Sequence, residues 1–169
     1  MAAPGSGPLH RFFAADHDRL DDLLRRATAG TGSVDLSFFG AFRAGLLRHI
    51  GMEEKALFAA AREARGGRAL GLAERLRVDH GAIAALLVPT PTRALVERLL
   101  GVLGPHNRRE EEAGGAYDEA DEALGHVAGG ALVEALRAFP DPPLKPWNDG
   151  PQVLKHIEEN LELSRRQWA

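Results

Sequence analysis

Apolar residues recur along this chain at intervals of three and four, the spacing that puts them on one face of an α-helix. From Leu9 they fall at Phe12, Phe13, Leu20, Leu23 and Leu24, which predicts a first helix over about 9–29. "GTGS" at 30–33 interrupts the pattern. A second helix starts at Ser33 or Asp35, both capping residue types. It carries Phe38, Phe39, Phe42, Leu46, Leu47, Ile50, Leu57 and Phe58 before Gly66-Gly67 ends it. A third covers about 68–88 and is closed by "PTPT" at 89–92, and a fourth covers about 92–114. Gly104-Pro105 interrupts the fourth, where an interior proline removes one backbone hydrogen bond and kinks a helix. Beyond Gly114-Gly115, "AYDEADEAL" either prolongs the fourth helix or forms a separate turn. A short helix at about 130–139, a proline-rich loop "FPDPPLKPWNDGP" and a last helix at about 152–168 complete the chain. No stretch of period two predicts a strand. The pattern implies an all-α fold, an up-down-up-down antiparallel four-helix bundle with a C-terminal helical extension. Its expected organisation is a flexible N-terminus at 1–8, the bundle at 9–125, and the extension at 126–169 packed on the bundle.

Two segments interrupt the apolar faces with ionisable groups, and they do so twice. Residues 16–24 spell DHDRLDDLL and residues 79–87 spell DHGAIAALL, both fitting D-H-x-x-(L/I)-x-x-L-L. The first is followed by HIGMEE at 49–54 and the second by HNRREE at 106–111, both fitting H-x-x-x-E-E. Each half is therefore a helix pair with one His on its first helix and a His-x-x-x-Glu on its second.

Residues i and i+4 lie about 40° apart around a helix axis, so His49 and Glu53 reach one point, as do His106 and Glu110. Glu54 and Glu111, at i+5, lie about 140° from their His and are expected on a solvated face with Glu112. Leu20 and Ile83, three residues after His17 and His80, mark the His face as the core face. Four packed helices then place His17, His49, Glu53, His80, His106 and Glu110 around one interior volume. Imidazoles and carboxylates are costly to bury without a partner, and metal is the best one. Imidazole with carboxylate suits iron, manganese or zinc. A pair of ions, each with two His and a Glu that could bridge, uses all six groups and leaves positions open for a small exogenous ligand. Asp16 and Asp79 are candidates to accept a proton from a ligand imidazole. His10 is too far along its helix to join the same site, and His126 and His156 lack a Glu at i+4. Tyr117, seven residues after Glu110, is expected to pack, with lining the pocket as the alternative.

Composition narrows the function further. The chain has no cysteine, which excludes disulfides, thiolate metal sites and cysteine nucleophiles. A net charge of −3 gives no footprint for nucleic acid or an anionic membrane. No apolar run reaches membrane-spanning length and no secretory leader stands at the N-terminus, so the expected address is cytoplasmic. Phosphate-binding, nucleophile-elbow and H-E-x-x-H motifs are absent from the sequence.

"DHDRL", "HIGMEE", "DHGAI" and "HNRREEE", in that order over about residues 9–113, resemble the hemerythrin-like, HHE cation-binding domains. The resemblance implies a four-helix bundle around two iron ions bridged by oxygen, with zinc or manganese as substitutes. It carries the family ligands onto His17, His49, Glu53, His80, His106 and Glu110. The oxygen carriers of the family have a second His four residues further along the third helix, where this chain has Ala84. Their last carboxylate comes five residues after its His, the position of Glu111. These departures point away from oxygen carriage, toward the branch for which sensing, redox or iron-handling roles are proposed. The expected function is binding or sensing of O2 or NO, or a part in iron and redox homeostasis. A di-iron redox enzyme (peroxidase-, ferroxidase- or NO-reducing type) and a zinc-bound structural bundle are the alternatives. A homodimer or a separate signalling protein is the expected partner.

Overall fold

The computed structural model describes residues 5–169, and these contain helices and no strand. Of the N-terminal segment expected to be flexible, residues 1–4 lie outside the described residues, and the Gly5 N–H donates to Asp118 at 2.9 Å. Helix α1 spans Pro8–Ala27 and buries Leu9, His10, Phe13, His17, Leu20, Leu24 and Ala27. Helix α2 spans Leu36–Met52, its start capped by Asp35, which accepts from the Ser37 and Phe38 N–H groups. A wider π-helical turn at Glu53–Leu57 follows and runs directly into α3, Phe58–Ala64. Helix α4 covers Ala73–Leu86, α5 Arg93–Glu111, α6 Ala116–Arg137 and α7 Pro151–Gln167.

Two elements differ from the sequence expectation. The third helix begins at Ala73 rather than near 68, because Glu119 holds the preceding segment as a turn. One Glu119 oxygen accepts from the Gly71 N–H at 2.8 Å and the other pairs with Arg65. The expected short helix at 130–139 is the second part of α6, which consists of two helical segments joined across a kink where Gly125 (φ 73°, ψ 172°) is non-helical. Its glycines lower helix propensity, and that hid it from the periodicity. Tertiary contacts override this. Ala116, Tyr117 and Ala120 are fully buried, and a Cβ on Gly129 would lie 3.0 Å from Pro8.

Helix α6 also completes α1. Gly7 at the α1 N-cap has no side chain to offer, and the Asp121 carboxylate accepts from the Leu9 and His10 N–H groups at 3.0 and 2.9 Å instead. Gly7 is required there, since a Cβ would stand 2.0 Å from the Asp121 carboxylate.

Helix α1 packs on α2 and α6, while α4 packs on α5 and α7. The apolar interior divides into two clusters. One contains Leu20, Leu46, Ile83, Leu86, Leu99, Leu103 and Ile157. The other contains Leu9, Phe13, Met52, Leu57, Leu76 and Tyr117. His17, His49 and His80 each fall, along their own helix, between a residue of one cluster and a residue of the other. The chemistry-bearing layer is thus enclosed by hydrocarbon at both ends, which keeps the environment around it dry. The proline-rich loop lies against the bundle through Trp147, stacked beneath Arg43 and near Phe39, and through Asn148, whose N–H donates to the Val88 carbonyl.

Candidate metal centre

The six residues singled out in the sequence converge. His17, His49, His80 and His106 come from α1, α2, α4 and α5, and Glu53 and Glu110 from the π turn and the end of α5. All six are buried, the two carboxylates completely. Glu53 presents Oε1 at 3.5 Å from His49 Nε2 and Oε2 at 3.1 Å from His80 Nε2. Glu110 presents Oε2 at 3.5 Å from His17 Nε2 and Oε1 at 2.9 Å from His106 Nε2. Each carboxylate therefore has one oxygen in each half of the layer. Two groups of ligand atoms lie close enough to hold an ion: Glu53, His80, His106 and Glu110, and His17, His49 and Glu110.

The opposite nitrogen of every imidazole is held by a second carboxylate. Asp16 lies 2.9 Å from His49 Nδ1 and Asp79 lies 3.4 Å from His106 Nδ1. Glu54 lies 2.9 Å from His80 Nδ1, and Glu111 pairs with His17 Nδ1. Glu54 and Glu111 are thus not a solvated face. Pointing away from its own helix's His is not pointing outward in a bundle, because each helix has a neighbour on its flank. Glu112 is exposed, as expected. The wiring is crossed. Each Asp holds the second His of its own half, and each outer Glu holds the first His of the other half.

These contacts fix where protons reside when no ion is present. Burial works against charge on His49, but Glu53 and Asp16 outweigh it and raise its pKa from 6.5 to about 10. Burial likewise opposes charge on His106, and Glu110 and Asp79 raise it to about 10. His80 is also raised, against its burial, by the neighbouring Glu53 and Glu54 carboxylates. Glu53 is pulled well below the usual carboxylate range by His49 and His80, although burial acts the other way. Burial tends to raise the Asp16 carboxyl too, but hydrogen bonds from His49 and Arg19 carry it down to about 2. Protonated imidazoles here stand in for cations.

The residues fit a metal better than they fit one another. Glu53 Oε2, Glu110 Oε1 and His80 Nε2 are buried without a hydrogen-bond partner, though they lie close together. Native structures rarely bury polar atoms unsatisfied, and atoms that converge without forming hydrogen bonds are placed as ligands are. The donor set of imidazole and carboxylate, with no sulfur, suits iron, manganese or zinc.

A family model for the hemerythrin HHE cation-binding domain matches residues 9–114. The chain belongs to the hemerythrin HHE cation-binding family. The match spans α1 to α5 and contains all six converging residues, the π turn and the four outer carboxylates. Comparison of this hemerythrin-domain chain with curated proteins and with solved structures found no match in either.

Other residues sort out by position. His10 pairs with Asp118 at 2.8 Å and belongs to neither ligand group. His126 and His156 are exposed. Tyr117 takes the lesser of the two places expected for it, lining the pocket rather than packing alone. Its ring does stack on Phe13, but its hydroxyl lies within the layer, donating to Glu53 Oε1 at 2.7 Å. Burial, then the charges of Glu110 and Glu53, hold the phenol well above its ordinary pKa, so it stays protonated. Its spacing of seven residues from Glu110 was the available signal, and the glycine pair between them concealed its direction. Outside the matched region, α7 reaches the site through Asp79. Ser164 Oγ, Gln167 Nε2 and Trp168 Nε1 donate to that carboxylate at 2.6, 2.9 and 3.0 Å. Among the described residues no helix is long and apolar enough to cross a membrane.

Proposed function

We propose that this hemerythrin-domain chain binds two iron ions and uses the pair to bind or sense a small ligand such as O2 or NO. One observation carries the reading. Glu53 and Glu110 each present one oxygen to each half of the layer, the arrangement two neighbouring ions need from a shared carboxylate. His80 and His106 would hold one ion, His17 and His49 the other, and both glutamates would serve the pair. Zinc or manganese suits the same donors. Iron, when bound, supplies one-electron redox chemistry and affinity for diatomic ligands. The chain's own contribution is orientation: four outer carboxylates fix each imidazole with Nε2 inward. The apolar clusters at both ends keep bulk water from the layer. A groove between α1 and α5, lined by His17, Asp18, Leu100, Gly104, Asn107 and Glu111, is the approach for a small ligand. We read α1, α2 with its π turn and α3, α4 and α5 as the up-down-up-down four-helix unit, with α6 and α7 packed around it.

Metal analysis of the purified chain, with optical spectra of the anaerobically reduced protein before and after O2, tests the reading. Two irons per chain and a charge-transfer absorption that develops on oxidation are expected. A colourless protein holding a single zinc overturns it.

A further inference from the structure

The duplicated sequence implies two equivalent half-sites, and the structure makes them unequal. The Tyr117 hydroxyl lies 3.3 Å from His17 Nε2, 3.3 Å from His49 Nε2, 2.7 Å from Glu53 Oε1 and 3.2 Å from Glu110 Oε2. It therefore stands among the donor atoms of the His17–His49 half. No tyrosine stands among those of the His80–His106 half, since Tyr117 is the chain's single tyrosine. Seven residues after Glu53, the position matching Tyr117, the first half carries Ala60. The phenol is completely buried and stacked on Phe13 at 5.0 Å between ring centres, so it has little room to withdraw. The glutamate oxygens are also drawn in more tightly on one side. Glu53 Oε2 and Glu110 Oε1 lie 3.1 and 2.9 Å from His80 Nε2 and His106 Nε2, whereas Glu53 Oε1 and Glu110 Oε2 lie 3.5 Å from His49 Nε2 and His17 Nε2.

We propose that the centre loads in two unequal steps: the first ion enters the Glu53–His80–His106–Glu110 half, and the second must displace the Tyr117 hydroxyl from the His17–His49 half. Tyr117 thereby sets the affinity of the second position. The inference rests on the two-ion reading above. Hydrogen bonds to charged groups change an equilibrium constant by about ten- to a hundredfold, which is the expected gap between the steps.

The test is an anaerobic titration of the metal-free full chain with cobalt(II), followed by its visible absorption and by calorimetry. In the natural chain one equivalent binds tightly and a second binds about tenfold or more weakly. In Tyr117→Phe, which keeps the stacked ring, the gap between the steps shrinks by about tenfold or more. His106→Ala should abolish the tight step and His17→Ala the weak one. Equal steps in the natural chain overturn the proposal. So does a Tyr117→Phe variant whose second step is unchanged or weaker, a weaker step meaning that the hydroxyl is itself a ligand. These results leave the two-ion reading standing. No cobalt bound by the natural chain, in contrast, removes that reading and this one together.

Discussion

Glu54 Oε1 lies 2.9 Å from Nδ1 of His80, joining the outer carboxylate of one half of the duplicated pattern to the first imidazole of the other. Glu111 and His17 form the reciprocal link. The two halves are therefore locked together by their outer carboxylates as well as by the inner ones.

Removing such an orienting partner should weaken metal binding without abolishing it. Glu54→Gln or Glu111→Gln is expected to lower metal affinity by about ten- to a hundredfold. Glu112→Gln, on the exposed face, should leave it unchanged. Competition against a chelator of known affinity measures all three.

The inner carboxylates should behave differently. Glu53→Ala and Glu110→Ala should each reduce the bound metal per chain, because each removes oxygens from both halves. His156→Ala, at an exposed position, should not. Unaltered stoichiometry in both glutamate variants would refute the ligand assignment.

Acidity should act in opposite directions on the empty and the loaded chain. His49 and His106 have pKa values raised from 6.5 to about 10 in the metal-free site. The stability they contribute is complete below about 6.5 and is lost as pH rises through about 10. The metal-free chain should therefore melt at falling temperature across that window. Metal needs the same nitrogens unprotonated, so its affinity should rise over that range, with protons released on binding at neutral pH. Melting curves with and without metal, and calorimetry in buffers of different ionisation enthalpy, give the two slopes.

The C-terminal helix should matter to the site although it lies outside the matched region. Trp168→Phe keeps a ring over Arg109 and removes the N–H that reaches Asp79. Combined with Ser164→Ala, it should lower metal affinity by up to about tenfold, less than Asp79→Ala, since it acts one contact further out. Ile157→Ala, at a fully buried position, should instead cost about 2–5 kcal/mol of stability. Chelator competition and denaturant unfolding separate the two effects.

Asp121 should be worth a helix cap. Asp121→Ala frees the Leu9 and His10 N–H groups and should cost about 1 kcal/mol, read from urea unfolding.

The sequence by itself determined the helical class and the six converging residues. Helical periodicity and the i,i+4 relation are local, so His49 with Glu53 and His106 with Glu110 were readable from spacing alone. The repeat then supplied His17 and His80. Only the tertiary structure decided what depends on neighbours distant in the chain. Glu54 and Glu111 became imidazole partners because another helix lies on the flank that spacing assigned to solvent. Helix α6 formed despite its glycines because Ala116, Tyr117 and Ala120 are buried and Asp118 and Asp121 hold the start of α1. Tyr117 entered the site, and Trp168 reached Asp79, through contacts that span the chain. A repeat in sequence specifies like residues at like spacing, but the packing of α6 and α7 around them is not repeated, and that packing makes the two halves of the centre different.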